Sequence, residues 1–260
     1  MSDSASHIQL DRWTDAPGAV LALNDPERRN ALGDAMFTDL RRALRQLHSD
    51  PPVTLILQGR GKAFCAGFDL GAVVEQQSRF AAYVRELSDI IRQLRRSSMI
   101  VIGAVHGSAL AGGCALVAAC DLVVVSRETR LGYPVHRIGA TPAVTIPALQ
   151  QVVGPGRARH LLMGGDLIDG AEAVRRGLAD HLVETDDDVA PRAEQLARRV
   201  AGHGRHALAV TKAWLNELDG SDQDAPFDRV TEGSLDACTG PEAVRMLRAF
   251  WARRSGRGSG

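Results

Sequence analysis

The sequence predicts a mixed α/β fold, and three observations carry that expectation. Apolar runs of strand length, residues 53–57, 100–105 and 122–125, are separated by longer amphipathic stretches. Segments such as 34–48 place Met36, Leu40, Leu44 and Leu47 at helical spacing, and strands alternating with helices argue for an α/β core. From Pro155 onward the chain turns helical, with no internal repeat.

Taken in order, residues 7–13 and 19–23 alternate in polarity as two strands joined near Pro17-Gly18. Residues 34–48 form an amphipathic helix. Strand 53–57 is closed by Gly59 and Gly61, helix 79–96 follows, and 100–105 reads as a buried strand. A glycine-rich turn then opens an apolar helix, Cys114-Ala-Leu-Val-Ala-Ala-Cys120, ahead of strand 122–125. A helix starts near Pro142, and further helices are expected over 157–163, 171–176, 190–201, 206–217 and 241 to about 254. The last eight residues, Arg-Arg-Ser-Gly-Arg-Gly-Ser-Gly, read as a frayed tail.

A chain of 260 residues has room for one domain with a substantial core and an appendage. Its 31 basic and 31 acidic residues cancel, which leaves no electrostatic case for a nucleic acid or a membrane surface as partner. No run approaches the ~18 apolar residues of a membrane span. The start, Met-Ser-Asp-Ser-Ala-Ser-His, has no basic region followed by an apolar one, so a cytoplasmic location is expected. Cysteines 65, 114, 120 and 238 lack metal-type or redox-type spacing and read as reduced thiols. No metal site and no dinucleotide fingerprint is expected, because Ala111-Gly112-Gly113 is not followed by a third glycine and a ribose-binding acid.

Two glycine-rich turns carry the chemical information. Ala63-Phe-Cys-Ala-Gly-Phe-Asp-Leu70 and His106-Gly-Ser-Ala-Leu-Ala-Gly-Gly-Cys-Ala115 each read as a strand running into a turn, and the second turn opens the helix at 114–120. Glycine lets a backbone approach a ligand closely, and the first amides of a helix have no partner inside it. Two such turns brought together present two N–H donors to one oxygen, the geometry of an oxyanion hole. Either cluster alone would only shape a turn.

These segments resemble those of the crotonase (enoyl-CoA hydratase/isomerase) superfamily, in that family's order. Asn24-Asp-Pro-Glu-Arg-Arg-Asn-Ala-Leu32 is similar to its N-terminal P-x-x-x-N-A-L segment, and residues 63–70 and 104–116 to its two oxyanion turns. Leu131-Gly-Tyr-Pro134 through Gly139 is similar to the strand and loop that usually carry an active-site acid. The resemblance implies a crotonase-like ββα superhelix core over residues 1–200 and a C-terminal helical trimerisation region over 201–260. It implies a homotrimer or dimer of trimers acting on an acyl-CoA or acyl-carrier-protein thioester. Coenzyme A enters only as part of the substrate, with no permanently bound cofactor.

By residue match, the resemblance assigns the oxyanion donors to the backbone N–H groups of Phe68 and Gly112. It lays Arg29, Ala31, Lys62 and Ala66 along coenzyme A, with Arg28 and Asn30 in the same segment and Lys212 reaching a neighbouring subunit's coenzyme A. Hydratases of the family use two glutamates, one as base and one as acid. Matched position by position, those slots hold Ala115 and Val135, neither of which carries a proton. Substitutes nearby are His136 and Tyr133. On a regular strand Tyr133 shares a face with Val135 and His136 faces away. Thr141 and Thr145 can orient a substrate group or cap the following helix. Asp69 and His106 read as structural, and Cys65 and Cys114 as packing near tight turns. Phe68, Phe80, Tyr83 and Val135 are candidates for an apolar acyl pocket.

The leading reading is therefore an enzyme that stabilises an enolate on a thioester, though not by two-glutamate hydration. Decarboxylation, which needs little beyond an oxyanion hole and an apolar pocket, fits Ala115 and Val135 better than hydration or isomerisation. Hydrolysis would need a positioned water or nucleophile. A thioester-binding relative that has lost its chemistry is the alternative of a different class.

Overall fold

The computed structural model describes residues 6–255. Strands β1 (Ile8–Arg12) and β2 (Gly18–Leu23) form an antiparallel hairpin, and helix α1 (Asp34–Ser49) returns the chain to β3 (Thr54–Gly59). Helices α2 (Leu70–Glu75) and α3 (Ser78–Arg96) lead to β4 (Ile100–Val105), β5 (Ser108–Leu110) and α4 (Gly112–Ala118). Strands β6 (Leu122–Ser126) and β7 (Arg130–Gly132) precede α5 (Ile146–Val153) and α6 (Pro155–Gly164). Next come β8 (Ile168–Asp169), α7 (Gly170–Arg176) and β9 (His181–Val183). Helices α8 (Val189–Ala201), α9 (Arg205–Asp219), α10 (Asp224–Thr239) and α11 (Pro241–Ser255) follow. None of the described helices is long and apolar enough to cross a membrane. The tail expected from residue 253 is helical to 255 and otherwise lies outside the described residues.

The main sheet has the order β1-β2-β3-β4-β6-β9, parallel except for β1. Its central strands β2, β3, β4 and β6 are largely apolar on both sides because both faces are covered. Leu55, Leu57, Val101, Val105, Val123 and Val125 enter the larger core, while Ile56, Ile102, Ala104 and Val124 face Val189, Ala193, Leu196 and Val200 of α8. After leaving this sheet, the chain passes through a second ladder before its next helix. That ladder is β5-β7-β8, extended by parallel bridges between Cys65 and Ala109 and between Leu32 and Phe68. Successive turns of a superhelix thus stack Leu32 on Phe68, Cys65 on Ala109, and Ala109 on Leu131.

Three local expectations change. Strand β7 stops at Gly132, and Pro134–Ile138 is a 3-10 turn. Pro134 has no N–H to continue a ladder and presets the turn's first φ, so Tyr133, Val135 and His136 do not alternate as on a strand. The helix expected near Pro142 begins with a 3-10 turn, Ala143–Thr145, and becomes α-helical at Ile146. Helix α10 is absent from the sequence expectations. Pro226, Gly233 and several Ser and Thr residues disguise it, yet Phe227, Thr231, Ser234 and Cys238 form a buried face at helical spacing.

Helix α9 is inverted relative to an ordinary amphipathic helix. It buries Lys212 and Asn216 and leaves Val210, Trp214, Leu215 and Leu218 exposed. The Lys212 ammonium donates to the Asp121 carboxylate at 2.6 Å and to the carbonyls of Leu94 and Met99. Asn216 donates to the Arg95 carbonyl. The expected reach of Lys212 to a neighbour's coenzyme A is overturned, because its ammonium is buried inside this chain. Burial lowers its pKa and the Asp121 charge opposes that shift.

The loop before α1 is held to the loop after β3 by one side chain. Asn30 is fully buried, with its amide nitrogen 2.9 Å from the Arg60 carbonyl, 2.8 Å from that of Ala63 and 3.2 Å from that of Phe64. Its amide oxygen accepts from Asp25 N–H. Arg29 and Asn30 both have positive φ, 53° and 55°, a conformation asparagine tolerates better than most residues. Asn30→Ala leaves these groups buried and unpaired, so it should lower unfolding stability by about 2–4 kcal/mol. Urea denaturation measures this, and a loss within error of zero would show that the loops dock without it.

Candidate active site

The two glycine turns meet. Gly67 has φ 90°, and a Cβ there would sit 3.0 Å from the Leu110 carbonyl oxygen and 3.6 Å from the Gly112 nitrogen. At Gly113 a Cβ would fall 2.3 Å from the Cys65 carbonyl oxygen, too close for any side chain. Neighbouring amides are engaged: Ala66 N–H donates to Arg29, Leu32 N–H to Gly67, Asp69 N–H to Leu32, Leu110 N–H to Cys65 and Ala111 N–H to Gly132. Among the described residues, the amides of Phe68 and Gly112 donate to no protein acceptor. Ala111, between engaged and free amides, is held at φ 51°, ψ −112°. Such a backbone costs a non-glycine residue about 1–3 kcal/mol and persists only where its surroundings impose it.

Phe68 and Gly112 line one cavity of about 300 Å³. Ala115 lies on its buried side, and Val135 and Tyr133 line it as well. Its walls are apolar, with Phe80, Val84 and Leu87 from α3 and Phe250 from α11, and among the described residues no carboxylate side chain lines it. The aromatic wall continues outward, with Phe68 5.9 Å from Phe80 and 5.7 Å from Tyr83 between ring centroids. Tyr83 itself lines a different cleft, beside Asp34 and Arg79, so of the proposed acyl-pocket residues only Phe68, Phe80 and Val135 reach this cavity.

Tyr133 is buried, with its hydroxyl 3.1 Å from Thr145 Oγ1. Burial and the adjacent Cys114 thiol push its pKa well above the usual phenol value, so it keeps its proton at neutral pH. His136 is exposed and does not line the cavity. In a 3-10 turn residues three apart share a face: Pro134 with Arg137 and Val135 with Ile138 line the cavity, and His136 is left outside. The expectation that His136 points away from Val135 holds for this reason and not through strand alternation.

Thr141 and Thr145 both line the cavity; Thr145 caps nothing and bonds Tyr133 instead. Asp69 caps α2 by accepting from Ala72 N–H, 3.2 Å away. His106 bonds the Gly61 carbonyl through its ring. Cys65 and Cys114 are buried, and burial raises both thiols to about 12, far from thiolate chemistry. The segments carrying Arg29, Ala31, Lys62 and Ala66 are joined through Asn30 and the Arg29 to Ala66 bond, and Arg29 and Lys62 are exposed without an ion pair among the described residues. Arg28 is paired with Asp25 and Asp69. Among the described residues no group of His, Cys, Asp or Glu is arranged to hold a metal.

Sequence reasoning missed Arg137, Ser234, Cys238 and Phe250 as cavity residues. The helical spacing from Phe227 to Cys238 was the signal available for two of them; Arg137 and Phe250 had none.

A superhelix of sheet, ladder and helix with two free amides at one cavity defines a crotonase-type fold. The chain belongs to the enoyl-CoA hydratase/isomerase family, whose profile matches residues 16–226. It is 34% identical over 206 residues to a crotonyl-CoA hydratase of Syntrophomonas wolfei, covering 76% of this chain and 78% of that protein. The rat enoyl-CoA hydratase domain-containing protein 3, mitochondrial, is 28% identical over 240 residues, with 90% and 79% covered. Among solved structures, an enoyl-CoA hydratase/isomerase from Xanthobacter autotrophicus superposes with a TM-score of 0.84 at 26% identity, over 97% of this chain and 98% of that one. An enoyl-CoA hydratase from Mycobacterium avium gives 0.82 at 29%, over 95% and 97%.

The chain has two tyrosines. Burial and the nearby Asp34 charge raise Tyr83 to about 12, and Tyr133 is raised as well. Unfolded tyrosines titrate near 10, so above about pH 10 the unfolded chain releases phenol protons that the folded chain retains. Stability is therefore complete below that pH and falls as pH rises toward 12. Ultraviolet titration should show almost no tyrosinate in the folded protein at about pH 10.5 and about three-quarters of the phenols ionised in urea. Early tyrosinate in the folded protein would contradict the buried phenols.

Proposed function

We propose that this chain acts on an acyl-CoA thioester, stabilising an enolate at the Phe68 and Gly112 amides and completing the reaction without a carboxylate side chain. One observation carries the reading: two unengaged amides open into an apolar cavity that holds no carboxylate. The hydratase names of the relatives support a CoA thioester. Exposed, unpaired Arg29 and Lys62 stand ready for its phosphates.

The thioester oxygen accepts from both amides, each contributing roughly 3–4 kcal/mol as negative charge develops. Water addition needs a base for water and an acid for carbon, and Ala115 and Val135 supply neither. Decarboxylation forms the same enolate without removing a proton from carbon. The electron pair of the breaking C–C bond moves into the enolate, carbon dioxide leaves, and the α-carbon takes a proton. Tyr133 is the neutral donor at hand, with Thr145 bonded to it, and water restores the phenol. The apolar surroundings of Ala115 disfavour an ionised carboxylate, which drives the same step.

The exposed Val210, Trp214 and Leu218 stripe of α9 supports self-association, and we infer the trimer, alone or paired, that the resemblance implies. The double variant Trp214→Glu, Leu218→Glu should sediment as a monomer with helix content unchanged. Unaltered sedimentation would remove α9 from the interface.

Acyl-CoAs incubated in deuterated water and followed by mass spectrometry test the chemistry. Malonyl-type thioesters should lose carbon dioxide, and saturated acyl-CoAs should bind without α-deuteration. Tyr133→Phe should slow decarboxylation roughly 10²-fold while leaving binding intact. Rapid α-deuteration of saturated acyl-CoAs would reveal a base and overturn the reading. Binding of every thioester with no turnover would favour a thioester-binding relative.

A further inference from the structure

Arg137 is the single charged residue lining the cavity, and it has no assigned task. The 3-10 turn carries it into the cavity lining together with Pro134, and it is exposed, whereas Gly112, Ala115 and Tyr133 are buried. Among the described residues its guanidinium makes no ion pair and no hydrogen bond. Other arginines of this chain are committed to acids: Arg28 to Asp25, Arg41 to Glu86, Arg92 to Asp228 and Arg95 to Asp219. A free guanidinium facing an otherwise uncharged cavity is an anion receptor. Its planar fork matches a carboxylate through two parallel hydrogen bonds. The apolar walls beside it shield such a pair from water, which strengthens it relative to one on an open surface.

An acyl chain whose thioester oxygen sits at the Phe68 and Gly112 amides occupies the same cavity that Arg137 lines. We propose that Arg137 selects acyl groups that end in a carboxylate distal to the thioester, which a malonyl-type substrate of the reaction above carries in addition to the α-carboxylate it loses. The inference rests on the thioester reading above, and its binding test does not depend on which bond breaks. Arg137 is a specificity residue and makes no contact with the reacting carbon.

The test is calorimetric binding of glutaryl-CoA, pentanoyl-CoA and free coenzyme A to the full chain and to Arg137→Met and Arg137→Lys. The intact protein should prefer glutaryl-CoA over pentanoyl-CoA by roughly tenfold or more, as for a hydrogen bond to a charged group. Arg137→Met should abolish that preference while leaving pentanoyl-CoA and free coenzyme A unchanged, and Arg137→Lys should retain part of it. Unchanged pentanoyl-CoA binding also reports that each variant is folded. Equal loss for all three ligands would make Arg137 a coenzyme A contact and overturn the proposal, as would a preference that survives in Arg137→Met or is absent from the intact protein. Failure of pentanoyl-CoA and free coenzyme A to bind the intact protein would sink the thioester reading itself.

Discussion

The contact between the turn at Gly67 and the turn at Gly113 is the constraint on which the site depends. The second ladder stacks five chain segments, and at this crossing two backbones come within side-chain distance of each other. A single methyl at Gly113 would collide with the Cys65 carbonyl, so the spacing exists only because that position carries no Cβ. The surrounding ladder bonds use up the neighbouring amides and leave those of Phe68 and Gly112 without partners. Ala111 absorbs the cost of the geometry as a strained φ. Preorganised donors of this kind are effective because they need no rearrangement when charge develops.

The rest of the molecule serves that crossing from both sides. Asn30 bonds the preceding turn of the superhelix to the loop that begins the first glycine segment. The main sheet is buried on both faces, which makes it a rigid base for the loops that leave its strands. The C-terminal helices close the cavity, since Ser234, Cys238 and Phe250 form part of its wall. The region assigned to assembly is therefore also part of the candidate site within its own chain. Helix α9 is anchored by polar groups, Lys212 and Asn216, and turns its apolar stripe outward. That inversion is hard to explain for an isolated molecule.

The chemistry follows from what the cavity contains. Among the described residues no carboxylate lines the cavity, and burial raises the Tyr133 phenol above its ordinary pKa; the proposed chemistry builds on these two facts. The buried thiols are disqualified for the same physical reason that protects the phenol: desolvation disfavours the charged form. Arg137 is the exception, a charge that remains solvated while facing apolar walls.

Much of this was legible in the residues. Strand and helix periods read correctly through most of the core, because each depends on alternation within a few residues. The two glycine turns and the empty acid positions at Ala115 and Val135 were also readable, since they are properties of local segments. Three features escaped. Pro134 converted an expected strand into a 3-10 turn and so decided that Val135 and Arg137, but not His136, face the cavity. Helix α10 was masked by Pro226 and Gly233, and its hydroxyl-bearing buried face does not register as apolar. Lys212 carries a charge that reads as surface until Asp121 and two carbonyls are seen around it. The sequence by itself determined most strands and helices and the two glycine turns, because backbone preference and residue identity are local. Tertiary structure alone decided which groups share the cavity, because its walls join residues as far apart as Phe68 and Phe250, and no local pattern encodes that meeting.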